Sequence, residues 1–167
     1  MDQVDRIIEQ WADERSDLDT GPMATIGRTK RLAQALNLGM ENVFRKHGLN
    51  NATFDVLATL RRSGPPYALT PSDLMASTMV SSGTMTNRID RLQKNGWISR
   101  TRNPDDGRGF VIGLTDQGFR LIDSIMAEHV ANQHRLTAAL SEAERKALDI
   151  LLSKWLSAFE GGSSQHD

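Results

Sequence analysis

Between residues 81 and 94 the chain sets out side chains suited to gripping a nucleic acid. At 100° per residue, Gly83, Asn87, Asp90 and Lys94 share one face of a helix, with Thr84 and Arg91 on its shoulder. Met85, Ile89 and Leu92 line the apolar side opposite. Asn87 can read adenine through two hydrogen bonds, and Arg91 can read guanine or clamp a phosphate. Ser81, Ser82 and Thr84, near the helix start, offer hydroxyls and free backbone N–H groups to phosphate oxygens. Downstream, Asp106-Gly107-Arg108 makes a turn ahead of the apolar run Phe110-Val111-Ile112-Gly113-Leu114. A hairpin with arginine at its tip can carry charge to the DNA backbone or the minor groove while the helix occupies the major groove. Lys94 and Arg108 suit that charge role better than sequence reading.

Arg88, on the same helix, points elsewhere. It lies about 60° from the centre of the apolar stripe and so leans toward the protein body. An unpaired, partly buried charge is costly, so Arg88 calls for an acid or an anionic ligand. Other chemistries are poorly served. Cysteine is absent, which removes disulfides, thiolate metal sites and thiol redox sensing. His47, His129, His134 and His166 lack metal-ligand spacing, and no glycine-rich phosphate loop follows a strand. No Ser-His-Asp set or carboxylate pair is favoured by its setting. The expectation is a protein that is not an enzyme, with no metal and no cofactor.

The elements that position these residues follow from spacing and punctuation. Val4, Ile7, Ile8 and Trp11 recur at helical intervals, giving a short amphipathic helix over 2–15. Pro22 opens a second helix to about His47, stopped by Gly48, and Asn51 is the expected cap of a third through Arg62. After the extended Tyr67-Ala68-Leu69, Thr70-Pro71-Ser72-Asp73 starts a brief fourth helix that ends near Ser77. A tight turn leads to the fifth helix, about 82–95, with Gly96 as its stop. Two short helices so joined are a helix-turn-helix. Residues 97–101 and 110–114 are hairpin strands, with 103–109 as the tip. Thr115 caps a sixth helix to about Leu140, and Ser141-Glu142-Ala143-Glu144 is a capping box opening a seventh to Phe159. The fold class is mainly α: a winged helix-turn-helix with a small β-hairpin wing and a helical dimerisation lobe that includes an extra N-terminal helix.

Charge is distributed to match. The 167 residues carry a net charge of −1, yet residues 81–120 hold seven cations and four anions, a local +3. The first twenty residues hold seven acids against Arg6 and Arg15. Phosphate attraction is local, so a basic patch on one lobe suffices. No apolar run is long enough for a bilayer, and Met1-Asp2-Gln3-Val4-Asp5 lacks the basic start of a signal peptide, so a cytoplasmic protein without membrane contact is expected. The terminal helices are too rich in Leu, Ile, Val and Met to pack on the middle lobe alone. A homodimer would bury them and present two recognition helices to half-sites of a pseudo-palindromic operator. The implied partition is 1–50 (dimerisation and ligand pocket), 51–115 (DNA-binding lobe), 116–160 (dimerisation helices) and 161–167 (flexible tail).

The sequence resembles the MarR family of transcription regulators over nearly its whole length. The resemblance is carried by Asp106-x-Arg108, Ile112-x-Leu114-Thr115 and Gly118. It is carried also by the run from Ser82 to Leu92 and by Gly96-Trp97-Ile98-Ser99-Arg100. It implies a homodimeric winged-helix repressor of duplex DNA, with a pocket between its two lobes where an anionic aromatic weakens operator binding. The chain is similar, more narrowly, to the urate-responsive PecS-like branch, which has an extra N-terminal helix with a tryptophan. Trp11, Asp55, Arg88 and Arg100 stand where that branch carries its ligand-binding residues. A purine anion suits a flat aromatic neighbour and a planar bidentate cation. Asp55 could hold an arginine until an anion repels it, and Arg88 would pass the movement to DNA. Trp11 could equally be core, Asp55 could pair with Arg61 or Arg62, and Arg100 could contact phosphate at the wing base. A different phenolic ligand, none at all, or a protein-binding winged helix are the competing readings.

Overall fold

Local caps set most helix boundaries in the computed structural model, which describes residues 1–78, 85–103 and 109–160. Asp2 starts α1 (Gln3–Glu14) by accepting from the backbone N–H groups of Val4 and Asp5. Pro22 lies in the first turn of α2 (Gly21–Lys46), where its missing N–H costs nothing. Asn50, rather than Asn51, caps α3 (Asn51–Arg62); its side-chain oxygen accepts from the Thr53 N–H at 2.9 Å. Both asparagines are competent caps, and only Asn50 has the extended backbone that a cap requires.

Three short strands and two short helices follow. β1 (Ala68–Leu69) leads into α4 (Pro71–Ser77), which Thr70 caps. The described part of the fifth helix is α5 (Met85–Lys94). β2 (Ile98–Arg102) and β3 (Phe110–Leu114) pair antiparallel, with Arg100 opposite Ile112. β1 joins the far side of β3, giving the order β1-β3-β2. The hairpin expected from sequence is thus the larger part of a three-stranded sheet. A two-residue strand is too short to show alternation, so its pairing was not legible. Ser81, Ser82, Thr84, Arg108, most of the hairpin tip and the 161–167 tail lie outside the described residues.

The chain closes with α6 (Asp116–Leu136) and α7 (Glu142–Glu160). α6 stops at Leu136 rather than near Leu140, because the next backbone N–H groups turn back to nearer carbonyls, such as Ala138 to Arg135 and Leu140 to Thr137. Ser141 and Glu144 exchange the capping bonds foreseen at the head of α7. Leu57, Leu60, Leu74, Leu92, Ile98, Ile112, Ile122 and Ile125 form the fully buried centre, so α6 drives its first turns into the same core as the sheet. Val4 seats α1 on α2, and Arg28 bonds Asp2 at 2.8 Å as well as Asp5. Ile8 of the α1 stripe is half-buried, whereas Ile7 is 42% and Trp11 43% exposed.

Candidate DNA interface and anion site

Two surfaces of α5 divide as the spacing implies. Met85, Ile89 and Leu92 are buried, while Asn87, Asp90, Arg91 and Lys94 are exposed. Ser81, Ser82 and Thr84, expected from the sequence to contact phosphate, lie outside the described residues. Arg91 extends toward the end of α2, its Nη2 3.5 Å from the Gly48 carbonyl oxygen. Gly96, at φ 74°, reverses the chain after α5 and sends β2 back alongside the helix. Thr115 locks that reversal by donating its hydroxyl to the Gly96 carbonyl at 2.7 Å and accepting from the Gly118 N–H at 3.0 Å.

The four residues assigned to an anion site occupy separate settings within one chain. Arg88 is half-buried, and among the described residues no hydrogen bond reaches its buried Nη1. Asp55 is on α3 with a side chain only 13% exposed, and Arg62 Nη1 lies 3.9 Å from its Oδ1. Arg100 is tied to Asp90 at 2.5 Å and lies 5.7 Å from the centre of the Phe110 ring. Trp11, on the exposed side of α1, is half-open to solvent. Asp55 also lines a cavity of about 440 Å³ between α3 and α6, with Phe54, Arg61, Arg62, Asp123 and His129 among its walls.

Comparison with known proteins gives these settings a context. The family model for the MarR family matches residues 47–109, from the end of α2 into the hairpin. Over 152 residues the chain is 41% identical to the HTH-type transcriptional regulator PecS of Dickeya dadantii, covering 91% of this chain and 92% of that one. The chain belongs to the MarR family. A mutant MarR from Escherichia coli, solved in complex with operator DNA, matches with a TM-score of 0.71 at 27% identity, over 82% of this chain and 97% of that one. AbsC, a MarR family regulator from Streptomyces coelicolor, shares the fold at a TM-score of 0.74 and 23% identity, over 86% of this chain and 97% of that one. This MarR/PecS-type chain is a transcription regulator, not an enzyme, and its mainly α winged-helix fold agrees with the expectation from sequence.

Several polar contacts of this MarR-family chain were not legible beforehand. Arg61 bonds Asp123 at 2.7 Å, and its guanidinium lies 4.4 Å from the Phe119 ring centre and 5.2 Å from that of Tyr67. The Asp123 carboxylate raises the Arg61 pKa further, so the clamp between α3 and α6 stays charged. His129 is buried against the stacked rings of Phe44 and Phe54. Partners more than 60 positions apart leave no local trace; the opposite charges of Asp90 and Arg100, with a reversing glycine between, were the one available signal. Among the described residues no cluster of three or more His, Asp or Glu side chains could hold a metal, and no helix is long and apolar enough to cross a membrane.

Proposed function

We propose that this chain is a homodimeric repressor that binds a pseudo-palindromic operator and is released by a small anionic aromatic such as urate. In this reading α5 enters the major groove. Asn87 and Arg91 meet base edges, and Ser81, Ser82, Thr84, Lys94 and Arg108 meet the backbone. Trp11, Asp55, Arg88 and Arg100 form the ligand site, with Trp11 supplying a flat platform and the arginines charge. The observation that carries the reading is the buried, unbonded Nη1 of Arg88 on the helix that turns Asn87, Arg91 and Lys94 outward. A guanidinium nitrogen in that state gains from an anion, and any movement it makes is transmitted to the reading face. Identity of 41% to PecS supports the assignment to that branch.

The α3–α6 cavity favours a second ligand reading. Its walls include Asp55 but not Trp11, Arg88 or Arg100, and Arg61 and Arg62 would be its cations. A phenolic acid, in place of the purine urate, fits that composition.

A gel-shift titration on the DNA flanking this protein's own gene, with and without millimolar urate, tests the function. Binding that urate releases is the expected result, and Trp11→Phe, Asp55→Asn and Arg88→Ala should each blunt the release. Release that persists unchanged in all three variants would discard the four-residue site. Affinity should also fall steeply with salt, as phosphate contacts require; a flat salt curve would overturn the groove reading.

A further inference from the structure

Asp90 places a carboxylate on the face of α5 that also carries Asn87 and Lys94, where DNA phosphates would be its neighbours. An uncompensated acid there repels the duplex. Arg100 compensates it: Nη2 sits 2.5 Å from Asp90 Oδ1, with the two side chains 33% and 55% exposed. The pairing follows from the fold. The Gly96 reversal lays β2 beside α5, and the Phe110 ring on the neighbouring strand lies 5.7 Å from the guanidinium. Arg100 therefore meets both Asp90 and an aromatic ring while remaining open to solvent.

We propose that Arg100 is a removable mask for the Asp90 carboxylate. With the mask in place the reading face of α5 is compatible with DNA. An anion that draws the guanidinium away leaves a negative charge facing the phosphates, so ligand binding at Arg100 would be converted into electrostatic repulsion without any large movement of the helix. Asp90 is then a positioning residue that acts on DNA through its charge and not through a base contact. The mask rests on the groove assignment of α5 made above, and its ligand response rests on Arg100 as an anion-binding residue.

The test is a double-mutant cycle on the full chain, using a duplex that the wild-type protein enriches from a randomised pool and reading affinity by fluorescence anisotropy. Arg100→Gln should weaken binding about tenfold, the scale of one lost charge contact. Asp90→Asn should tighten it, and adding Arg100→Gln to Asp90→Asn should change affinity by less than about twofold. Asp90→Asn should also retain DNA at urate concentrations that release the wild type. Equal losses from Arg100→Gln in both backgrounds would overturn the mask and assign Arg100 to a direct phosphate contact. Circular dichroism checks that each variant folds. A wild-type chain that enriches no duplex would overturn the proposed function together with this role, whereas DNA binding with an additive cycle removes the mask alone.

Discussion

His129 shows what burial does to a single titratable group. Its ring lies 4.8 Å from that of Phe54 and 5.2 Å from that of Phe44, and its Nδ1 is buried without a hydrogen bond. Desolvation disfavours the imidazolium and lowers its pKa from the ordinary 6.5. The folded state therefore binds fewer protons than the unfolded state. Stability is complete above the unfolded pKa and is lost as pH falls through the folded one. Urea midpoints measured from pH 8 to pH 5 should decline below the unfolded value, and His129→Phe should flatten the decline. An unchanged slope in that variant would place the acid sensitivity elsewhere. On the DNA face, Asn87→Ala should cost specific binding about 1–3 kcal/mol while sparing binding to a scrambled duplex. Competition between the two duplexes measures this directly, and equal losses on both would make Asn87 a backbone contact.

At the scale of elements, the junction of α5, β2 and α6 is where backbone meets backbone. Gly118 sits so near the sheet that a Cβ there would lie 1.9 Å from the Trp97 carbonyl oxygen. That oxygen is main chain and also accepts from the Thr115 N–H, so it has no rotamer by which to withdraw. Gly118→Ala should therefore destabilise by about 1–3 kcal/mol or more through overpacking. For a domain of this size each kcal/mol lowers Tm by about 2–4 °C. A thermal scan in which the variant melts with the wild type would mean that the helix can slide away from the sheet. The same junction explains why the run from Asp106 to Gly118 read as a motif: its glycine marks a close approach, not a flexible hinge.

For the whole molecule, apolar side chains stay exposed on two long helices. α7 has no buried residue, and Ile150, Leu151, Leu156 and Phe159 are each more than half exposed. Leu32 and Leu38 of α2 are similarly open. Exposed apolar side chains in this number mark an interaction site, and a second copy is the partner that the homodimer reading supplies. Leu151→Glu combined with Leu156→Glu should convert the proposed dimer to monomers in sedimentation velocity and reduce operator affinity, since one half-site alone would then be held. A variant that still sediments as a dimer would place the interface on other helices.

What the amino-acid sequence determined by itself was local: the caps at Thr70, Thr115 and Ser141, the buried stripe of α5, and the two opposite characters of that helix. Each depends on residues three or four positions apart, whose geometry any helix shares. The cap of α3 was displaced by one residue because adjacent asparagines offer the same chemistry. Only the tertiary structure decided that Arg100 meets Asp90, that Arg61 meets Asp123 over two rings, that β1 completes the sheet, and that His129 is buried among phenylalanines. Those outcomes depend on which surfaces the core brings together, and chain separation carries no record of it. The exposed stripes of α1 and α7 reach one level further, because in the proposed homodimer their burial would depend on a second copy of the chain.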